Sequence, residues 1–444
     1  MDIQSYLKEV TSHIRSKEAK KFVKSELENH LHTVYHSYKE KGYSHEEAES
    51  LSIKQMGEPK QLGLNMNKLH KPKIDWFMLV GFFILIGLSF LPMVYIQETV
   101  EWNLLFNKTV YTLLGIAVLA VLMFFDYRKF EKFGYPFFIL GIGLLLLINL
   151  SSLRVNGRPY LYVPGFGGIE SSYTLPLLLL AWASILSNMK NSTWITIAIE
   201  DSNRNRSSFR IQRIWQIVLL FLVSVFMLLL SSNLFLVLLY TVLVVVMVLF
   251  STLRNGDKYT FSAGVLIVGV ASFVFSMIQK PYMLQRFKAF ITPEEYANTS
   301  GYMLLKVKEL IGEAGWFGKE LPMDGFHLPG AHTDLIFVTL TYGYGWLLAG
   351  ILVIILFALS IRMISVVKTF QNPYGKLLTI GAITLYTFSI SWSILMTLGV
   401  LPLVGVSLPF FSYGLMPTIL HSFLIGIVLS VYRRKDISSY SFKW

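Results

Sequence analysis

The sequence predicts an all-α, polytopic membrane protein of about ten transmembrane helices, preceded by a small helical N-terminal domain. Three observations carry that expectation. Apolar runs near 20 residues recur along most of the 444-residue chain, the mean hydropathy is +0.54, and the first 72 residues, charged and without such a run, stand apart. Aromatic residues make up 15% of the chain, which suits two interfacial belts, and the net charge of +12 suits an inner face lying against anionic membrane lipids. Nucleic acid is not an expected partner. Without cysteine the chain has no disulfides, thiolate catalysis or thiolate metal sites. The polar start "MDIQSYLKEV" does not read as a cleavable signal peptide.

Residues 1–72 read as a soluble helical domain. Ile3, Leu7, Val10 and Ile14 share one helical stripe, and Val23, Leu27, Leu31, Val34 and Tyr38 the next. In "GYSHEEAES" Gly42 stops one helix and Ser44 caps another, with Glu47 as its capping-box partner; Gly57 and Pro59 are expected to end that helix. His32 and His36 stand one turn apart with Glu28 a turn earlier. That spacing suits zinc, but the solvated face of an amphipathic helix explains it without a metal.

Residues 73–444 form the expected membrane domain, with spans near 76–96, 109–125, 133–150, 173–189, 215–232, 234–253, 259–278, 335–359, 377–398 and 415–431. Short loops on one side carry Arg128, Lys129 and Lys132, then Arg204, Arg206, Arg210 and Arg213, then Arg254 and Lys258, then Arg362 and Lys368, and last Arg433, Arg434 and Lys435. The positive-inside rule makes that side cytoplasmic, so both termini are inside and the large loop 279–334 is external.

Asp334, in "LPGAHTDLIF", therefore falls at the outer membrane surface. Two readings stand. An acid there can cap the following helix through its orphan N–H groups. Alternatively, a carboxylate at an apolar edge has a raised pKa and can act as a general base on a sugar hydroxyl, with His332 and Thr333 orienting it. The same loop holds Arg286, Lys319 and other cations among several acids. Most read as solvated, but "EAGWFGKE" combines glycines that permit close backbone approach with Lys319 as an anion-binding charge.

The segments "QRFKAF", "GYMLLKVKELIGEAGWFGKE", "LPGAHTDLIF" and "GVLPLVGVSLPFFSYG" resemble, in order and spacing, the SEDS family of membrane peptidoglycan polymerases, over roughly residues 75–435. The resemblance implies that Asp334 is the catalytic residue and activates an acceptor sugar hydroxyl of lipid II. That oxygen would attack the anomeric carbon of a growing glycan strand and expel undecaprenyl diphosphate with inversion. It further implies that Arg286 and Lys319 contact the sugar or diphosphate and that His332, Thr333, Ser412 and Tyr413 line the substrate cavity; the cofactor expectation stays open between none and a divalent cation, Mg²⁺ or Mn²⁺, at the diphosphate. The implied partner is a membrane-anchored transpeptidase, a class B penicillin-binding protein. Residues 1–72 resemble the helical prefix domain of some bacterial permeases, which implies a cytoplasmic protein partner.

The sequence also departs from the family pattern. Tyr342 and Gly343 stand where the family has a Glu-Glu pair, Gly330 replaces an acid, "SYGLMP" replaces "SYGGSS", and the "QPSE" motif falls on Glu170, Ser171, Ser172 and Tyr173. These departures leave a second expectation, a non-catalytic scaffold or regulator of cell division and shape. A third, a flippase for lipid-linked precursors, is weakened by the few ionisable residues in the spans.

Overall fold

The computed structural model describes residues 2–99, 103–155, 157–164, 167–188, 206–279, 281–321, 326 and 328–437; Arg204 and Lys280 lie outside them. The chain divides into two compact units.

The first unit comprises the chain up to Asp75, residues 369–372 and the end of the chain from Val431. Its helices are α1 (Ile3–Ser12), α2 (Lys17–Glu40), α3 (His45–Met56) and α4 (Pro59–Leu69). Asp2, Ser16 and Ser44 cap the first three through their side chains, and the Ser44–Glu47 capping box forms in both directions. Gly57 ends α3 with φ +85°, but Pro59 opens α4, where a residue without an N–H donor loses nothing. Leu7, Val10, Ile14, Val23, Leu27 and Leu31 form one buried core with Tyr6, Met56 and Met66.

The unit extends beyond the expected boundary at residue 72, because the end of the chain belongs to it. The Arg434 guanidinium is fully buried and donates to both Glu18 carboxylate oxygens, at 2.9 and 2.8 Å. Lys73 pairs with Asp436 at 2.8 Å, the Asp436 carbonyl bonds His70 Nδ1, and Ile437 is buried.

The second unit is the membrane domain, and the protein is a multi-pass membrane protein. Its helices are α5 (Trp76–Leu88), α6 (Leu91–Ile96), α7 (Leu104–Phe124), α8 (Gly134–Leu150), α9 (Leu175–Ser187), α10 (Arg206–Leu230), α11 (Leu234–Leu249), α12 (Asn255–Gln279), α13 (Pro281–Ile291), α14 (Tyr302–Glu313), α15 (Ile336–Val367), α16 (Pro373–Thr397) and α17 (Leu415–Arg433). Among the described residues, seven segments are long and apolar enough to cross a membrane, and three shorter apolar helices, Ser171–Ser187, Trp215–Leu230 and Leu234–Leu249, lie at the fourth to sixth expected spans. α16 is an inner helix: 72% of its apolar stretch is buried, against 28% for α7. Two small antiparallel hairpins interrupt the helical pattern before α9: β1 (Arg154–Val155) with β2 (Arg158–Pro159), and β3 (Leu161–Val163) with β4 (Gly167–Ile169).

Glycines make one joint in this unit possible. α15 breaks at Gly345, where φ is +83°, and the loop after α14 runs against the break: Trp346 N–H donates to Gly315 O and Lys319 N–H to Tyr342 O. A β-carbon on Gly318, itself at φ +88°, would stand 2.3 Å from Gly343 O. Gly318→Ala therefore combines backbone strain with a collision against main chain that cannot swing aside, and we expect a loss of at least about 1–3 kcal/mol. Thermal unfolding of the purified protein checks this, and an unchanged midpoint would refute it.

Candidate active site

Asp334 lies just before α15 and does not cap it. The N-cap position is Leu335 and no side chain makes a capping bond there; the turn is held instead by Thr333 and Leu335 N–H groups donating to Gly330 O. The carboxylate is half-buried on the wall of a cavity of about 430 Å³. Burial raises its pKa to about 6, the charge of Glu170 adds to the rise and Arg158 opposes it. A carboxylate so placed is mostly ionised at neutral pH yet holds a proton more readily than a solvated aspartate, as a general base requires.

The "HTD" and "LPFFSYG" segments are stitched together. Ser412 Oγ donates to Thr333 O at 2.9 Å and accepts from Leu408 N–H at 2.8 Å, and Tyr413 N–H donates to His332 O at 2.8 Å. The rings of His332 and Tyr413 meet edge-on at 5.7 Å, and burial lowers the His332 pKa. Lys108 supports the irregular segment from behind. Fully buried near the start of α7, its ammonium donates to the carbonyls of Phe410, Phe411 and Ser412, so backbone unable to form a helix is satisfied away from water.

Of the residues expected at the site, Thr333, Asp334, Ser412 and Tyr413 line this cavity, and His332 packs behind Tyr413. Arg286, exposed on α13, and Lys319 do not line it. Lys319 pairs with Glu313 at 3.2 Å, and the glycines of "GWFGKE" receive the backbone of α15 where an anion was expected. Tyr342, in place of a family acid, is buried against Phe326 with ring centroids 5.4 Å apart.

Sequence reasoning missed Arg158 on β2 and Glu170, both lining the cavity. Glu170 accepts from Tyr160 Oη at 3.2 Å and from the Ser172 hydroxyl. The available signal was that Glu170, like Asp334, is an acid just ahead of an apolar helix. No three His, Asp or Glu side chains converge as a metal cluster among the described residues.

A profile of the family described as cell cycle protein, covering FtsW, RodA and SpoVE, matches residues 70–437. The probable peptidoglycan glycosyltransferase FtsW of Trichlorobacter lovleyi is 26% identical over 333 residues, spanning 73% of this chain and 82% of its own. Two solved structures share the fold. A chain from a structure described as the structural coordination of polymerization and crosslinking by a peptidoglycan synthase complex matches with a TM-score of 0.65 at 22% identity, covering 82% of this chain and 98% of that one. The rod shape determining protein RodA of Thermus thermophilus matches with a TM-score of 0.56 at 20% identity, covering 81% and 97%.

Proposed function

Because the chain belongs to the cell cycle protein family of FtsW, RodA and SpoVE, we propose that it is a peptidoglycan glycosyltransferase that polymerises lipid II at the outer face of the cytoplasmic membrane. The observation that carries this reading is Asp334, a carboxylate of raised pKa on the wall of a polar cavity at the start of a membrane helix. Lipid-linked substrates keep their tails in the bilayer while their sugars stay in water, so the reacting bond lies near such a helix end.

Asp334 accepts the proton of the acceptor sugar hydroxyl as its oxygen bonds to the anomeric carbon of the growing strand. The bond from that carbon to the diphosphate oxygen breaks, the diphosphate keeps the electron pair, and the configuration inverts. Thr333, Ser412 and Tyr413 shape the acceptor side of the cavity, and the exposed cations Arg286 and Lys319 attract the diphosphate lipids from outside it. The partner is a membrane-anchored transpeptidase of the class B penicillin-binding proteins, a reading supported by the likeness to a chain from a complex that couples polymerization to crosslinking. Both termini are cytoplasmic, so the helical prefix domain meets a cytoplasmic protein partner.

The test is glycan synthesis. Purified protein, alone and with its candidate transpeptidase, is given labelled lipid II beside Asp334→Ala. Ladders from the parent and none from the variant are expected. Empty lanes under conditions where a known polymerase works would overturn the reading in favour of a scaffold.

A further inference from the structure

The proposed proton transfer leaves the other charged members of the cavity without a role. Arg158 and Asp334 approach each other across Gly405, where a β-carbon would stand 2.9 Å from Arg158 Nη1 and 3.0 Å from Asp334 Oδ2. Glycine leaves that gap open, and any larger residue would fill the space between cation and carboxylate. Glu170 is held in place by the hydroxyls of Tyr160 and Ser172. The other titratable groups around the cavity are Tyr111 of α7, Tyr160, Tyr173, Tyr413 and His421 of α17. His332 turns to Tyr413, and the Nδ1 of His421 is taken up by Pro417 O. Tyrosines are uncharged near neutral pH, so Arg158 and Glu170 supply the opposed full charges beside Asp334.

A general base must satisfy two conflicting demands. It must be ionised before the reaction and must bind the proton during it. A cation alone makes aspartate a poor proton acceptor, and a second carboxylate alone leaves it already protonated. We propose that Arg158 and Glu170 are positioning residues that act on Asp334 with opposite sign, Arg158 holding it ionised and Glu170 strengthening its hold on the acceptor proton. This rests on the glycosyltransferase reading for its consequence, but the charge coupling itself can be measured without turnover.

The experiment compares Arg158→Gln, Arg158→Lys and Glu170→Gln with the parent in two ways. The first is the pH dependence of glycan synthesis from lipid II. The second is the thermal midpoint as a function of pH, each protein read against the same protein carrying Asp334→Asn, which isolates the titration of Asp334. Loss of the cation is expected to move the acidic limb up by about one pH unit, loss of the second carboxylate to move it down by about as much, and Arg158→Lys to restore the parent limb. A merely structural role would lower rates without moving the limb. Coincident limbs, or a shift in the same direction for both charge losses, overturn the proposal, and Glu170→Gln alone does so if its limb stays put. If the parent makes no glycan at any pH, the glycosyltransferase reading fails while the midpoint titration still decides the coupling.

Discussion

Asp334→Asn is expected to lower glycan synthesis by about a hundred- to ten-thousandfold, the usual contribution of a positioned general base, and at the same time to raise the thermal midpoint at neutral pH. The two effects share one cause. Burial and the nearby Glu170 make the ionised carboxylate unfavourable in the folded protein and raise its pKa to about 6. Between its ordinary value near 3.8 and about 6 the folded state binds the proton more readily than the unfolded chain, so stability falls as pH rises through that window. Above it the parent carries the full penalty of a charge that asparagine does not have. The gain from the substitution is therefore expected near about pH 7.5 and should vanish near about pH 4. The parent's own rate should drop as pH falls through about 6, where the base becomes protonated. Initial rates and midpoints of both proteins check this. A variant as fast as the parent, or one less stable at neutral pH, would contradict it.

What was legible in the sequence follows what is local in the chain. The spans could be read because lipid imposes long apolar runs, and Asp334 because it interrupts one at its start. The Ser44 capping box could be read for the same reason, since its partners are three residues apart. Arg158 could not, because hairpin strands of two residues leave no period, and the signal Glu170 shares with Asp334, an acid just ahead of an apolar helix, does not show that the fold brings both residues to Asp334 from more than 160 residues upstream. Lys108 escaped notice because a lysine at a span end ordinarily reaches toward water, whereas here three carbonyls of a distant segment replace that water. Chemical type also misdirected the reading of "GWFGKE", whose Gly318 meets main chain of the same protein. The "RRK" at 433–435 reads from the sequence only as positive-inside charge, whereas the fold buries Arg434 on Glu18 and sets Lys435 over the Tyr432 ring at 4.2 Å.

That buried pair carries the second large effect. Glu18→Ala is expected to destabilise the N-terminal unit by about 3 kcal/mol, the low end of the range for breaking a buried ion pair, since the Glu18 side chain is itself 36% exposed. The loss comes from what remains behind. With Glu18 gone, the guanidinium of Arg434, whose side chain is 0% exposed, loses the carboxylate that both of its printed bonds reach while staying out of water. Replacing both partners, Glu18→Leu with Arg434→Met, removes the buried charge along with the attraction and should restore most of the stability. Hydrogen exchange over α1 to α4 in the full-length protein distinguishes the cases. If the pair locks the end of the chain onto this unit, the single variant exchanges faster throughout the core around Leu7, Val23 and Leu27, while the double variant stays close to the parent. Equal exchange in all three would mean that Ile437, the Lys73–Asp436 pair and the His70 contact hold the tail without help from Arg434.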